Sequence, residues 1–332
     1  MEKHREQVQP TVLIATAVHD VLIEGLKELG YAVVNMPSCD AHVLLQWLPK
    51  VEGLIVGSAT ALPCALLKRA ARLRFIGRPG SGLDHIDTAC AEALGIRLFR
   101  SPEGNADAVA EHVVMVLLTL ERHLLEADRS TRRNQWLRRQ LRGVELAGKC
   151  LGIIGCGHTG GALAQKLSTW GMQILVYDKY KTAVELKHRF PHVEVCDFEA
   201  VLKRSDYLSI HVPLTEETRH MVDGDFLRRM KRGSVLVNTS RGGVLQLSAL
   251  VEALESGHLR GACVDVFEEE NWDNTEVSPA FKSAFARLAS LPNTILTPHI
   301  AGLTNESLYK CSLSLMEKIA LWRKHLDGRG DE

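Results

Sequence analysis

The chain has 332 residues, which is enough for two domains of ordinary size. Forty lysines and arginines balance forty aspartates and glutamates, and this neutrality argues against a general affinity for nucleic acid or for an anionic membrane. The polar start of the chain and the lack of a long uncharged apolar run predict no signal peptide and no membrane span. We therefore expect a cytoplasmic protein.

Eight cysteines are scattered along the chain, several of them within apparent strands or helices. They form neither a CxxC pair nor a cluster with histidines, so the sequence predicts no metal site. We interpret all eight as small core residues of a protein from a reducing compartment. The positions are 39, 64, 90, 150, 156, 196, 263 and 311.

From Thr11 to Pro102, short apolar runs alternate with helical patterns. This alternation predicts a parallel sheet covered by helices, with any ligand beyond the carboxyl ends of the strands. The predicted strands are 11–15, 32–34, 53–56, 73–76 and 96–99, and the predicted helices are 21–29, 42–48, 63–71 and 88–94.

The turn Arg78-Pro-Gly-Ser-Gly-Leu-Asp84 follows one of these strands. Its backbone N–H groups and the Arg78 guanidinium could receive a substrate anion there. The candidate substrate-binding residues are Arg78, Gly80, Ser81 and Gly82. The alternative is an ordinary loop with a surface arginine.

Two segments then lead to the second half of the chain. Asp107 to Glu126 is predicted to be one helix, too rich in aliphatic residues for a surface position and therefore buried within a domain or between subunits. Arg129 to Arg142 holds six arginines around Trp136, and we predict it to be structureless. A solvated linker with one aromatic anchor is favoured over a nucleic-acid site.

The stretch Leu151-Gly-Ile-Ile-Gly-Cys-Gly-His-Thr-Gly160 predicts a buried strand that breaks into a glycine-rich turn and opens a helix. In a dinucleotide-binding fold, Gly155 permits the tight turn and Gly157 lets the backbone approach a pyrophosphate. Gly160 lets the new helix pack against its strand, and the N–H groups at the helix start face the phosphates.

A second apolar strand, 173–177, ends in Asp178, eighteen residues after Gly160. A carboxylate there would bind the adenosine ribose hydroxyls and repel a 2′-phosphate, so NAD is favoured over NADP. Lys179 and Lys181 follow closely and could attract that phosphate if they turned inward. The alternative for Asp178 is a turn residue at a strand end.

The alternation resumes after Asp178 and completes a nucleotide-binding domain of six or seven strands. The tail, 305–326, has the pattern of one amphipathic helix, and we expect the chain to cross back there to finish the first domain. The predicted strands are 193–196, 207–212, 234–240, 261–267 and 293–298, and the predicted helices are 198–204, 223–231, 246–256 and 280–288.

Three of these strand ends carry polar residues that a simple core would not need: Asn238 to Arg241, Asp265 to Glu270, and Thr297 to His299. An arginine can bind a carboxylate with a bidentate fork, and a histidine can exchange the proton that accompanies hydride transfer. A carboxylate beside that histidine favours its charged form. Taken singly, the three also fit a surface cation, a solvated acidic run and an ordinary loop histidine.

In these motifs the sequence resembles the D-isomer-specific 2-hydroxyacid dehydrogenases, which include phosphoglycerate dehydrogenases, glyoxylate/hydroxypyruvate reductases and the C-terminal-binding-protein corepressors. The likeness extends from about Thr11 to the final helix. The matching segments are Gly80 to Asp87, Asn105 to Glu111, Glu145 to Lys149, the Gly155 turn, His211 to Thr215, Asn238 to Gly243 and Thr297 to Gly302.

The resemblance implies an α/β fold of two doubly wound parallel-sheet domains. A Rossmann NAD-binding domain, 105–300, would be inserted into a flavodoxin-like substrate domain formed by 1–104 and 301–332. It also implies a homodimer that pairs through the nucleotide domains, and a small-molecule 2-oxo or 2-hydroxy acid as substrate.

By the same resemblance, Arg241 binds the substrate, His299 is the acid/base, and Glu270 is its carboxylate partner. Glu270 is chosen over Glu268 and Glu269 because the family places this glutamate five residues after the aspartate matched by Asp265. Asp265 would face the nicotinamide carboxamide. The implied cofactor-binding residues are Gly155, Gly157, His158, Thr159, Gly160, Asp178, His211, Pro213, Thr218, Thr239, Ser240, Asp265 and Gly302.

The sequence departs from the family pattern at places that matter for substrate. Asn271 follows Glu270 where the family usually has proline. The sequence does not explain the role of the segment 271–291. The run 57–62 lacks the arginines common in phosphoglycerate dehydrogenases, and we expect no C-terminal regulatory domain. A smaller 2-oxo acid fits somewhat better than phosphoglycerate. The alternative class is an NADH-sensing, corepressor-like binding protein.

Overall fold

The computed structural model describes residues 9–270 and 276–326. The chain divides into two compact units, one formed by the residues up to Asn105 together with those from Leu303 onward, the other by Ala106–Gly302. Each unit contains one parallel sheet, of five and seven strands, which confirms the predicted α/β fold class. Within the described residues, no helix is both long enough and apolar enough to span a membrane.

The first unit is built on five parallel strands in the order β2-β1-β3-β4-β5, which is the flavodoxin-like order. Its alternating elements are β1 (Thr11–Ala15), α1 (Asp20–Glu28), β2 (Ala32–Asn35), α2 (Ala41–Trp47), β3 (Gly53–Val56), α3 (Cys64–Leu67), β4 (Phe75–Arg78), α4 (Thr88–Ala93) and β5 (Arg97–Arg100).

Successive strand residues enter two separate apolar clusters on opposite faces of this sheet. Val12 and Ile14 pack with Leu22 of α1, whereas Leu13 packs with Leu44 of α2. Because side chains alternate across a strand, the all-apolar run of β1 is what allows helices to cover both faces.

The second unit holds seven parallel strands in the order β12-β11-β10-β9-β6-β7-β8. The strand order reverses between β6 and β9, where such sheets bind dinucleotides. The elements are α5 (Ala106–Glu121), α6 (Leu124–Arg132), β6 (Cys150–Ile154), α7 (His158–Lys166), β7 (Gln173–Tyr177), α8 (Ala183–Arg189), β8 (Glu194–Val195), α9 (Phe198–Arg204), β9 (Tyr207–Ile210), α10 (Gly224–Arg229), β10 (Val235–Asn238), α11 (Leu247–Glu255), β11 (Gly261–Val264), α12 (Pro279–Ser290) and β12 (Thr294–Leu296).

The last helix, α13 (Asn305–Leu326), belongs to the first unit. Its residues Leu315 and Ile319 are fully buried in the cluster that contains Phe75 of β4. The Ser312 hydroxyl accepts a hydrogen bond from the backbone N–H of His19, 3.0 Å away, just before α1. The tail helix therefore completes the core of the unit that the chain leaves near Asn105.

Two predictions for the stretch of sequence between β5 and β6 were wrong. The single helix predicted for 107–126 breaks at His123, which has a left-handed backbone (φ 50°), so α5 and α6 are separate. The start of the stretch predicted to be structureless is helical, and Asp128 pairs with Arg132 at 2.8 Å one turn along α6. Trp136 is 82% exposed, so it does not anchor this segment to its own chain.

The interpretation of all eight cysteines as small core residues of a protein from a reducing compartment was wrong for two of them. Cys64 of α3 and Cys90 of α4 are joined by a disulfide, with their Cα atoms 5.5 Å apart. The other six are free. Among the described residues, the one group suited to a metal is Cys64, Asp87 and Cys90, and two of its three ligands are used by the disulfide.

Candidate active site

The glycine-rich turn lies at the reversal of strand order, immediately after β6. Gly155 has φ +89°, and a Cβ added to it would lie 2.6 Å from the carbonyl oxygen of His211, which follows β9. A Cβ on Gly160 would lie 2.1 Å from the Gly155 carbonyl oxygen. A Cβ on Gly157, by contrast, would meet no described atom within 4 Å. Packing therefore requires the outer two glycines, whereas Gly157 borders open space.

The helix α7 begins at His158, with Gly157 as its N-cap and no side-chain cap. Backbone N–H groups at such an uncapped start carry a partial positive charge and can bind an anion. The Thr159 hydroxyl lies 3.1 Å from Nδ1 of His211, which ties the helix start to the end of β9.

His211 is held at both ring nitrogens, by Thr159 and by the Ser209 hydroxyl, 2.8 Å from Nε2. Burial lowers the pKa of His211 to about 4, so this imidazole is neutral at pH 7. The loop that follows is fixed by Thr218, whose hydroxyl donates to the Pro213 carbonyl at 2.6 Å. Both His211 and Thr218 are thus held in place by hydrogen bonds within the protein.

The Asp178 carboxylate closes the glycine-rich turn against the end of β7. One oxygen accepts the N–H of Cys156 at 2.8 Å, and the other accepts the N–H groups of Tyr180 and Lys181 at 2.9 and 3.1 Å. Lys181 donates to the carbonyl of Cys156, and Lys179 pairs with Glu217. Both lysines therefore already have partners in the protein.

The loop after β10 contains a buried hydroxyl that is not hydrogen-bonded within the described residues. Asn238 folds this loop, because its side chain accepts hydrogen bonds from the N–H and hydroxyl of Ser240 and donates to the Arg241 carbonyl at 3.0 Å. The Thr239 hydroxyl is buried and has no hydrogen-bond partner among the described residues. A buried polar atom left unpaired is costly and marks a group that a ligand can satisfy.

His299 and Glu270 are brought together from the ends of two neighbouring strands. His299 Nδ1 lies 2.8 Å from Glu270 Oε2, and the two side chains are 40% and 31% exposed. Burial raises the pKa of Glu270, but the hydrogen bond and charge of His299, the Phe267 N–H and the charge of Arg241 outweigh it and lower the pKa overall. The pair is therefore open to a ligand, and the charge of Arg241 acts on the same glutamate.

The neighbouring glutamates contact other residues. Glu268 lies 3.0 Å from Nε2 of His220, and Glu269 accepts hydrogen bonds from the N–H and hydroxyl of Ser278. The His299 partner is thus the third residue of the Glu268–Glu270 run, the one chosen from the family's spacing.

Asp265 is fully buried and holds the loop that carries His299. Its carboxylate accepts the Thr297 hydroxyl at 2.6 Å and the N–H groups of Ile300 and Ala301 at 2.9 Å each, and its carbonyl accepts the His299 N–H at 2.7 Å. These bonds fix a left-handed residue, since His299 has φ +56°.

His112 of α5 completes this arrangement, with Nε2 3.2 Å from the Thr297 hydroxyl. Burial lowers its pKa despite the nearby Asp265 charge. Because the Thr297 hydroxyl donates its hydrogen to Asp265, its oxygen is placed to accept a hydrogen bond from His112. The supporting roles of His112 and Thr297 were not predicted from the sequence. The available signal for His112 was a histidine within an otherwise apolar helix.

The predicted substrate turn belongs to the first unit and follows β4. Gly80 has φ +138°, and its N–H donates to the Ser101 hydroxyl at 3.0 Å, while its carbonyl accepts the Ser101 N–H at 2.9 Å. Arg78 donates to the Pro79 carbonyl, and Arg100 lies 3.4 Å from the Ser81 carbonyl. The turn is well defined, and the substrate contacts of Arg78, Gly80, Ser81 and Gly82 stay a prediction.

The residues of the second unit fit a dinucleotide. Gly157 leaves open the space that a Cβ would fill, and Thr239 offers an unsatisfied buried hydroxyl. Gly155, the start of α7 and Asp178 lie at the reversal of strand order, so they would hold the pyrophosphate and the adenosine ribose.

Two glycine substitutions separate this binding role from packing. We expect Gly157→Ala to weaken NADH binding about tenfold or more while leaving the melting temperature nearly unchanged, because its Cβ would occupy ligand space only. Gly160→Ala should instead lower the melting temperature by several degrees, since overpacking costs about 1–3 kcal/mol. Fluorescence titration with NADH and thermal melts measure both, and equal melting temperatures for the two variants would contradict the assignment.

Comparison with known proteins places these features in a family. Residues 114–301 match the model of the NAD-binding domain of D-isomer specific 2-hydroxyacid dehydrogenases. The chain is similar to the hydroxypyruvate reductase of Thermotoga maritima, with 37% identity over 83% of this chain and 86% of that protein. It is also similar to the D-3-phosphoglycerate dehydrogenase of Archaeoglobus fulgidus, with 32% identity over 96% of this chain but only 58% of that protein.

Among solved structures, D-lactate dehydrogenase from Aquifex aeolicus, complexed with NAD and lactic acid, superposes with a TM-score of 0.83. The two chains are 29% identical, and the match covers 96% of each. The family model and this complex identify the cofactor as NAD. The resemblance seen in the sequence motifs is therefore confirmed, and the chain belongs to the D-isomer specific 2-hydroxyacid dehydrogenase family.

Proposed function

We propose that this protein interconverts a 2-oxo acid and the corresponding D-2-hydroxy acid, using NAD. The observation that carries the proposal is the His299–Glu270 pair, 2.8 Å between nitrogen and oxygen, with the charge of Arg241 acting on the same glutamate. A proton donor, its carboxylate partner and a cation for the substrate carboxylate are what reduction of a 2-oxo acid needs.

The glycine-rich turn and Asp178 would hold NAD, which when bound would supply or accept the hydride at C2 of the substrate. Arg241 binds the substrate carboxylate through its planar fork and polarises the adjacent carbonyl. His299 uses Nδ1 for Glu270, which leaves Nε2 to exchange a proton with the substrate oxygen. The Glu270 carboxylate stabilises the imidazolium form that reduction consumes.

NADH is preferred over NADPH in this proposal, because the Asp178 carboxylate repels a 2′-phosphate. Lys179 and Lys181, the nearby residues that could attract the phosphate, pair with Glu217 and with the Cys156 carbonyl. Those contacts support the preference.

Small 2-oxo acids are the preferred substrate class. The segment 57–62 carries no arginine for a substrate phosphate, whose charge of nearly two would call for one. D-3-phosphoglycerate is the second candidate, because the match to a phosphoglycerate dehydrogenase extends over 96% of this chain.

A panel of substrates tests the function. Purified protein with NADH is assayed against glyoxylate, hydroxypyruvate, pyruvate, phosphohydroxypyruvate and a branched 2-oxo acid, then again with NADPH. We expect turnover of about 1 s⁻¹ or more with at least one unphosphorylated acid, and weaker catalysis with NADPH. NADH binding without turnover of any acid would favour the binding-protein alternative, and equal efficiency with NADPH would contradict the role of Asp178.

The active form in this proposal is a cytoplasmic homodimer that pairs through the second unit. That unit exposes several large apolar side chains on α5, on α6 and in the segment after it, and a second copy of the chain would cover them. Sedimentation should then give about twice the chain mass of 36.8 kDa. The exposed residues are Met115, Leu124, Leu125, Trp136 and Val144.

A further inference from the structure

The Cys64–Cys90 disulfide stands apart from the other cysteines of the chain. Cys64 is partly exposed, and Cys90 packs at the edge of an apolar cluster of this unit rather than in its fully buried part. The six remaining thiols are free, and burial raises the pKa of Cys150 and Cys156 to about 11. Cys64 and Cys90 are the two cysteines that lie close enough to be joined, so they are the pair that oxidation links.

The disulfide spans 26 residues of sequence, and the segment it closes contains the predicted substrate turn. Residues 78–86 lead from the end of β4 to a short parallel bridge between Leu62 and Ile86. In this bridge the Leu62 N–H donates to the His85 carbonyl at 2.8 Å, and the Asp87 N–H donates to the Leu62 carbonyl at 3.0 Å.

Each cysteine of the disulfide follows one of the two residues that form this bridge. Cys64 follows Leu62 by two residues, and Cys90 follows Ile86 by four. The Asp87 side chain caps α4 by accepting a hydrogen bond from the Cys90 N–H at 2.9 Å. This bond connects Cys90 to the residue that directly follows the 78–86 segment. One end of the turn is thus held by the sheet, and the other by two hydrogen bonds and the disulfide.

We propose that Cys64 and Cys90 form a reversible redox site that sets how firmly the 78–86 segment is held. Oxidation removes two electrons and two protons from the two thiols and forms one S–S bond, while a low-molecular-weight disulfide accepts them and becomes two thiols. In the cytoplasm, where we expect this protein, disulfides are usually transient and redox-sensing.

The disulfide should lower the KM for the 2-oxo acid, because a turn already held in its binding geometry loses less freedom when the substrate binds. Coupling between sites typically changes affinity by about fivefold or more, and we expect the lower end of that range. This effect on KM rests on the proposed function, whereas the redox chemistry and the stiffness of the segment do not.

The experiment equilibrates the protein with reduced or oxidised glutathione and compares three variants. These are the parent, the double variant Cys64→Ser/Cys90→Ser, and Cys39→Ser as a control that removes a free thiol from the same unit. Three quantities are measured for each: thiols titrated after unfolding without reductant, hydrogen exchange of residues 62–87, and KM for the best 2-oxo acid.

We expect the parent and Cys39→Ser each to lose two titratable thiols on oxidation, with slower exchange at Leu62 and Asp87 and a KM about fivefold lower. The double variant should show six thiols under both conditions. Its hydrogen exchange and KM should match those of the reduced parent under both conditions. Eight titratable thiols in the oxidised parent, or an exchange difference that persists in the double variant, would overturn the redox site. Equal KM in the two forms would overturn its link to substrate, and if no 2-oxo acid is reduced, the thiol and exchange data still decide.

Discussion

Replacing His299 with alanine is expected to lower kcat for 2-oxo acid reduction by about a hundredfold to ten-thousandfold, the usual contribution of a general acid. The substitution removes the proton donor and leaves Arg241 to bind the carboxylate, so KM and the Kd for NADH should change little. Steady-state kinetics and an NADH titration on the same preparation separate these effects.

The chain offers a matched control in His220. This histidine also has a left-handed backbone (φ 51°), is partly exposed and pairs with a glutamate, Glu268, at 3.0 Å. His220→Ala should keep kcat within a few-fold of the parent. A His299→Ala variant that is no slower than His220→Ala would remove His299 from the mechanism.

Arg241→Lys should lower kcat/KM by about tenfold to a hundredfold, which corresponds to losing a hydrogen bond to a charged group. Lysine keeps the charge but cannot form the bidentate fork, so binding and polarisation of the carbonyl should weaken together. We therefore expect KM to rise and kcat to fall in the same variant.

Arg219→Lys is the control for this change, because Arg219 contacts Glu268 at 3.8 Å from the same unit and has no assigned role. Its kinetics should match those of the parent. An Arg241→Lys enzyme with unchanged KM for every 2-oxo acid would show that the substrate carboxylate is bound elsewhere.

The sheets and the glycine-rich turn were predictable because local rules determine them. A fully apolar run such as Val12 to Ile14 is typical of a strand covered on both faces, and the positive φ of Gly155 matches the glycine expected there. The final helix was placed with its observed bounds, 305–326, because its amphipathic pattern runs without a break.

The break at His123 and the helix α6 could not be predicted in the same way. A left-handed non-glycine residue leaves no mark in an apolar pattern, and an arginine-rich composition conceals the i,i+4 pair of Asp128 and Arg132. The disulfide joins cysteines that are 26 residues apart in sequence and lie on two different helices. The spacing of the cysteines does not reveal that these helices meet in space.

The residues of the candidate site also differ in how far the sequence could predict them. Candidate residues at strand ends, such as Arg241 and His299, could be predicted from the sequence because the carboxyl ends of parallel strands lie at one edge of a sheet. The supporting roles of Asp265 and His112 could not be predicted. Both residues act through hydrogen bonds to the loop 297–301, and only the folded chain brings them next to that loop. The sequence therefore predicted the candidate reactive groups, but not the groups that position them.

The pairing of His299 with Glu270 is tested most directly by the pH dependence of kcat/KM for reduction, in the parent, in Glu270→Gln and in the control Glu268→Gln. In the proposed mechanism reduction needs protonated His299, so we expect the rate to fall as pH rises. The pKa of Glu270 is lowered, so its carboxylate is charged throughout that range and supports the imidazolium.

Glutamine keeps the shape but not the charge, so Glu270→Gln should move the fall in rate to lower pH, while Glu268→Gln leaves it in place. A Glu270→Gln profile that overlays that of the parent, or a shift caused by Glu268→Gln instead, would contradict the account.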